Sequence, residues 1–371
     1  MSFSDLSPAY IRAISPYQPG QPITQLAREL GIPVDKIVKL ASNENPLGMS
    51  PKARAAMEQA VAGIERYPDQ YDLIKALSEH YRIGMERIVL GNGSNDVLDL
   101  VARVFLAPGR SAVFSQHAFA VYPLATMSAG GACIQVPARE FGHDLPAMLS
   151  AIRPDTSVVW IANPNNPTGT FLPYPQIREF MQKLDRKVIV VLDEAYNDYL
   201  PPTLHEDTLA WQADFPNLII TRTFSKVYGL AGLRVGYAVA SDEIANLMNR
   251  VRQPFNVNNL GLAAAIGSLQ DHAFVAESVE LNQRGTEQIL AGLQRLGIGH
   301  IPGYGNFVTF RAGDAVSVNQ SLVRQGIIVR PLGGYGMPEH LRVSVGLEQE
   351  NLRFLEALEK SFPRPGTKGG H

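Results

Sequence analysis

Cysteine is almost missing from this 371-residue chain: Cys133 stands alone, so no intramolecular disulfide can form. An odd thiol is a liability in an oxidising compartment, so a cytoplasmic protein is expected. Cys133 itself, between AGGA and IQVPA, reads as a small core residue. Positive charge is not in excess either, since 33 basic residues against 35 acidic ones leave a formal charge of −2. That balance argues against a nucleic-acid surface. The eight histidines lack the spacing of a zinc site, so no metal is expected. No apolar stretch approaches the length of a membrane span, and the amino terminus lacks the basic and apolar regions of a secretion signal. A G-x-x-x-x-G-K-[ST] phosphate loop is missing as well, which argues against a nucleotide site. What the chain does have is apolar residues, 45% of the total, enough for a large core spread over two or three units.

Those residues are grouped. The strand-like runs RIVLG, SAVFS, SVVWI, KVIVVLD, NLIITRT and RVGYAVA alternate with helical patterns from about residue 50 to 250. This is the signature of an α/β sheet covered by helices. A helical stretch around 262 to 296 then leads to NFVTFRA, GIIVRP and LRVSVG, short strands of a smaller α+β unit. The expected division is an N-terminal segment (1–45) packing on the smaller unit, a large domain (46–262), a small domain (263–363) and a disordered polar tail (364–371).

The candidate chemistry starts in TRTFSKVYGLAGLRVG, from Thr221 to Gly236. A lone lysine is most often a solvated surface charge. Lys226 differs, because its neighbours are small or hydroxylated and the segment closes on an apolar run. Lysine amines become covalent catalysts by condensing with a carbonyl, and the Thr223, Ser225 and Arg234 side chains are suited to a nearby phosphate. Together they suit a phosphorylated aldehyde, pyridoxal phosphate, better than a nucleotide. KVIVVLDEAY is a β-branched run that delivers Asp193 at a strand's carboxyl end, where open α/β sheets bind ligands. An aspartate there can keep a pyridine nitrogen protonated, and Tyr196 can reach the ring oxygen. In GNGSNDVLDL a turn through Gly93 runs into a helix beginning near Ser94, either a phosphate-binding helix start or a plain cap by Ser94 or Asn95. ANPNNPTGT fixes Asn166 in a proline turn after another strand.

Taken in order, PYQPG, LASNENPLG, RYPD, GNGSND, NPNNPTG, DEAY, TFSKVYGLAGLRVGY, GIIVR and LRVSVG span nearly the whole chain. This series resembles the fold-type I pyridoxal phosphate-dependent aminotransferases, most closely their histidinol-phosphate aminotransferase branch. The resemblance implies a three-layer fold with a mostly parallel central sheet and a smaller α+β domain. It implies that Lys226 carries the internal aldimine, that Asp193 pairs with the pyridine nitrogen, and that Tyr196 and Asn166 contact the ring hydroxyl. Gly93, Ser94, Asn95, Thr223, Ser225 and Arg234 would bind the phosphate. Tyr67 in ERYPD matches a tyrosine that reaches the phosphate of the facing subunit, which implies a homodimer with shared active sites. The family's P-x-Y-x-x-Y element reads HAFAVY here: His117 replaces the proline, and Phe119 replaces the first tyrosine as the ring-stacking aromatic.

Substrate recognition is expected from Arg330, Arg342, Tyr17 and Asn43. An arginine fork suits a carboxylate or a phosphate, and a charge inside the apolar LRVSVG strand is costly unless something anionic meets it. Amino transfer between histidinol phosphate and 2-oxoglutarate would use both arginines. The same constellation also serves an aromatic amino acid aminotransferase or a lyase similar to threonine-phosphate decarboxylase.

Overall fold

The computed structural model describes residues 2–16, 20 and 22–362. After a two-residue strand β1 (Val38–Lys39), seven strands build the main sheet: β2 (Ile88–Asn92), β3 (Ser111–Ser115), β4 (Ala132–Val136), β5 (Thr156–Ala162), β6 (Ile189–Asp193), β7 (Leu218–Thr223) and β8 (Val235–Val239). Their spatial order is β2-β8-β7-β6-β5-β3-β4. All neighbours run parallel except β8, which is antiparallel to both β7 and β2. The six expected strands are all present, and the sheet is mostly parallel as expected.

Side chains that alternate along the strands feed two separate cores. Val190 and Leu192 of β6 join the cluster on one face, while Ile189 and Val191 join the cluster on the other. Both faces are therefore covered, which explains why the strands read as continuous apolar runs. The helix Ser94–Phe105 lies on one face and contributes Val97, Leu98 and Val101.

β4 is the exception. It is an edge strand whose residues from Ala132 to Gln135 are exposed or half-buried. Cys133 is consequently exposed, not a core residue as its small apolar neighbours suggest. Local composition does not reveal which strand lies at an edge.

A second sheet is built from β9 (His300–Ile301), β10 (Phe307–Arg311), β12 (Arg330–Pro331) and β13 (His340–Ser344), in the order β12-β13-β10-β9, with β11 (Ile327–Ile328) beside it. β11 pairs in parallel with β1, and Leu26, Ala27, Ile37 and Ala41 close over Ile328. The helical stretch expected at 262 to 296 is two helices, Asn259–Leu269 and His272–Arg295. The first is drawn tightly against the helix Pro51–Ala60, where a Cβ on Gly267 would come within 2.6 Å of the Lys52 carbonyl. Lys52 Nζ then donates to the Gln270 carbonyl at the break, at 2.7 Å.

Candidate active site

The strand directions bring the chemistry to one edge of the main sheet. β5, β6 and β7 end there in Ala162, Asp193 and Thr223, and all three line one cavity of about 330 Å³. β2 runs the same way as β7, so its end delivers Gly93 and Ser94 to that edge. β8 runs the other way, so Arg234, just before it, arrives at the same place. Small-molecule sites typically start at about this size.

Thirteen of the sixteen expected residues line the cavity: Asn43, Ser94, Asn95, Phe119, Asn166, Asp193, Tyr196, Thr223, Ser225, Lys226, Arg234, Arg330 and Arg342. Tyr17 lies outside the described residues. Gly93 is not in the lining; it makes room instead, with φ +81° and a Cβ position 2.2 Å from the Arg234 guanidinium. Tyr67 stands away from the cavity, 80% exposed, and stacks on Phe255 at 4.5 Å.

Lys226 Nζ donates to the carbonyls of Ser42 at 3.3 Å and Asn43 at 3.4 Å, and it sits 5.5 Å from the centre of the Tyr196 ring. Burial, with Arg342 next in weight, lowers its pKa from 10.5 to about 8. Such an amine is uncharged in a useful fraction near neutral pH, which a nucleophile or a base requires. Asp193 is buried and its carboxyl is pushed above the usual range by burial, an effect opposed by the Tyr122 hydroxyl that donates to Oδ2 at 2.8 Å. The Ala195 N–H donates to the other oxygen at 3.2 Å.

At the helix start neither Ser94 nor Asn95 is a cap. Gly93 is the N-cap residue and offers no side chain, so the first turn of Ser94–Phe105 opens toward the cavity. Arg234 Nη1 lies 3.4 Å from Ser225 Oγ. β8 comes so near this turn that a Cβ on Gly236 would meet the Ser94 nitrogen at 2.2 Å. Thr223 Oγ1 accepts from the Ser225 N–H at 3.1 Å and so shapes the loop that carries Lys226. Unsatisfied N–H groups, a guanidinium and hydroxyls in one concave corner suit a phosphate.

On the far side, Arg330 and Arg342 are directly opposite across the antiparallel pair β12–β13. Like charges so placed repel each other. Arg342 is buried, donates to the Ala41 carbonyl at 2.8 Å and to Asn166 Oδ1, and lies over Phe307. Asn43 is more committed than a substrate-binding residue need be. Its Nδ2 donates to the Tyr196 hydroxyl at 2.9 Å, and its Oδ1 accepts from Ser344. Sequence reasoning passed over Tyr122, Tyr335 and Glu44, of which the last two line the cavity. Only Tyr122 left a signal, standing three residues after Phe119 in HAFAVY.

Residues 35–358 match the family model described as aminotransferase class I and II. A histidinol-phosphate aminotransferase of Dechloromonas aromatica is 69% identical, covering 98% of this chain and all of the relative. One from Nitrosospira multiformis is 60% identical over 96% of this chain and 92% of its own. The chain belongs to the histidinol-phosphate aminotransferases.

Among solved structures, the histidinol-phosphate aminotransferase of Sinorhizobium meliloti in complex with pyridoxal-5'-phosphate aligns with a TM-score of 0.88 at 28% identity, covering 95% of this chain and 96% of that one. A histidinol-phosphate aminotransferase fold accounts for the strand order and for the position of the cavity at the carboxyl edge. Among the described residues, no helix is long and apolar enough to cross a membrane.

Proposed function

We propose that the chain transfers an amino group between histidinol phosphate and 2-oxoglutarate, as a step of histidine biosynthesis, with pyridoxal 5'-phosphate as cofactor. The observation that carries this reading is the pair of arginines opposed across β12 and β13 that line the same cavity as Lys226 and Asp193. The residues fit the cofactor: the open helix start at Ser94 and Asn95, with Ser225 and Arg234, matches its phosphate, and buried Asp193 matches its ring nitrogen. When bound, the cofactor supplies the aldehyde that accepts the amino group and a ring that withdraws electrons. Lys226 would hold it covalently, and its free amine would move a proton at the substrate's amino-bearing carbon. Tyr196 and Asn166 would orient the ring through its hydroxyl, Phe119 would pack against it, and Asp193 would keep its nitrogen protonated. Arg330 and Arg342, with Tyr17 and Asn43, hold the substrate's anionic groups, first a phosphate and then a carboxylate.

The proposed assembly is a homodimer in which Tyr67 reaches the partner's phosphate corner. Tyr67 is exposed and stacks on exposed Phe255, and Val61, Ile64 and Tyr71, near it in sequence, are exposed as well. Sedimentation of the active protein as a monomer would remove this part of the reading. In this reading the chain is divided into an N-terminal segment (1–45), a cofactor unit (46–262) and a small α+β unit (263–363), and it works in the cytoplasm.

The test is a single-turnover assay on cofactor-loaded protein, mixed in parallel with histidinol phosphate, phenylalanine and threonine phosphate. Rapid conversion of the bound cofactor to its amine form by histidinol phosphate is expected, with at least about tenfold preference over phenylalanine, as one well-placed charged contact provides. Equal conversion by phenylalanine would mean an aromatic aminotransferase. Carbon dioxide release from threonine phosphate would mean a lyase. Lys226→Ala is expected to abolish repeated turnover.

A further inference from the structure

Tyr122 is wholly buried, and its hydroxyl donates to Asp193 Oδ2 at 2.8 Å. Its ring is clamped. Trp160 lies parallel to it at 5.3 Å with planes 4° apart, and Phe119 meets it nearly at right angles at 5.9 Å. Trp160 is itself fixed, because its Nε1–H donates to Thr126 Oγ1 at 3.2 Å. Thr126 lies one turn further along the same helix, Val121–Ser128. The helix therefore sets both the phenol and the indole that holds it flat. Out of water and beside a carboxylate, the phenol keeps its proton, so toward that carboxylate it donates.

The carboxylate accepts from Tyr122 on Oδ2 and from the Ala195 N–H on Oδ1, and the nearby Thr221 hydroxyl also favours its ionised form. Charge-assisted bonds of this kind stabilise the ionised form and fix its orientation. Asp193 also lines the cavity, so what remains of its acceptor capacity faces any ligand there.

We propose that Tyr122 is a positioning residue for the cofactor's ring nitrogen, acting through Asp193 by holding that carboxylate ionised and in one orientation at the end of β6. The inference rests on the aminotransferase reading above. No bond to carbon is made or broken in this role. The phenol proton stays on Tyr122, and the ring-nitrogen proton stays on nitrogen because the carboxylate beside it is a weaker base. Without the hydroxyl, Asp193 becomes more basic and draws that proton toward itself, and the ring withdraws electrons less well.

Tyr122→Phe removes one oxygen and keeps the stack on Trp160. Apoprotein would be titrated calorimetrically with pyridoxal phosphate and with its deaza analogue, which carries C–H in place of the ring nitrogen. The variant is expected to bind pyridoxal phosphate about tenfold more weakly and the deaza analogue within about twofold of the unaltered protein, the size of one hydrogen bond to a charged group. Equal losses for both ligands would reduce Tyr122 to a packing residue and overturn the proposal. In an Asp193→Asn background the same substitution is expected to have no further effect on pyridoxal phosphate affinity, whereas an additive loss would overturn it too. Trp160→Phe, which disturbs the stack but keeps the hydroxyl, is expected to treat the two ligands alike; a loss confined to pyridoxal phosphate would assign the effect to packing. If the unaltered protein bound neither ligand, the cofactor reading would fail and this proposal with it.

Discussion

Arg222 and Arg342 are both arginines within apolar strands, one in each sheet, and they have opposite surroundings. Arg222, in β7, donates through Nε and Nη2 to Glu194 Oε2 at 2.9 and 2.8 Å, and the Glu194 side chain is 0% exposed. Thr208 satisfies the other Glu194 oxygen at 2.7 Å, and the guanidinium lies over Tyr81 at 4.9 Å. Arg342, in β13, gives its Nη donors to neutral oxygens, Asn166 Oδ1 and the Ala41 carbonyl, and faces a second arginine across the strand pair. Burial alone does not distinguish a structural charge from a working one. The distinction lies in where the guanidinium stands: Arg342 lines the cavity, and Arg222 does not.

Replacing each arginine by methionine should separate the two roles. Arg222→Met leaves Glu194 buried and uncompensated, and we expect a loss of about 3–5 kcal/mol in denaturant unfolding. Turnover per folded molecule should hardly change. Arg342→Met is expected to cost less, about 1–3 kcal/mol in unfolding, because the Asn166 and Ala41 oxygens lose a donor. Its kcat/KM for histidinol phosphate should fall about 30-fold or more, the scale of truncating one side of a buried charge contact. If Arg342→Met unfolded the protein while Arg222→Met lost activity, the comparison would be reversed.

A smaller effect sharpens the contrast. Lys226 is held near a pKa of about 8 by burial first and by Arg342 next. Below that pH the amine is protonated, so the rate at which apoprotein takes up pyridoxal phosphate should rise roughly tenfold per pH unit up to about 8 and then level off. Removing the Arg342 cation should move that midpoint upward, toward an ordinary lysine. Arg222→Met should leave it in place, and a stopped-flow pH series on the three proteins would decide the point.

The same pair shows how far the residues could be interpreted before the fold was known. Arg342 was assigned to substrate because a charge in an apolar strand demands an anion, yet NLIITRT carries Arg222 under the same rule. Glu194, which answers it, comes from the turn after the neighbouring strand. Asp193 and Lys226 were legible because central parallel strands are apolar throughout and end abruptly at polar residues. Cys133 was misplaced since an edge strand looks like a buried one over five residues. At the break at Gln270 and Asp271 the Gln270 carbonyl accepts from Lys52, a residue 218 positions away. Tyr122 was quoted within HAFAVY, but its link to Asp193 spans 71 positions and exists only once the sheet is assembled.

The Asn43 N–H donates to Ser344 Oγ across a separation of 301 positions, and β1 pairs with β11 near the opposite end of the chain. During synthesis the residues that cover Lys226 are therefore made first and secured last. Asp193, Lys226 and Arg234 can take their places as the main sheet closes, but the strand leading to Asn43 has nothing to pair with until β11 has left the ribosome. Between the synthesis of Lys226 and that of Ser344 the nascent protein would have a reactive lysine without a finished pocket. A polypeptide that stopped short of Ser344 would keep that lysine and never acquire the wall that makes it selective.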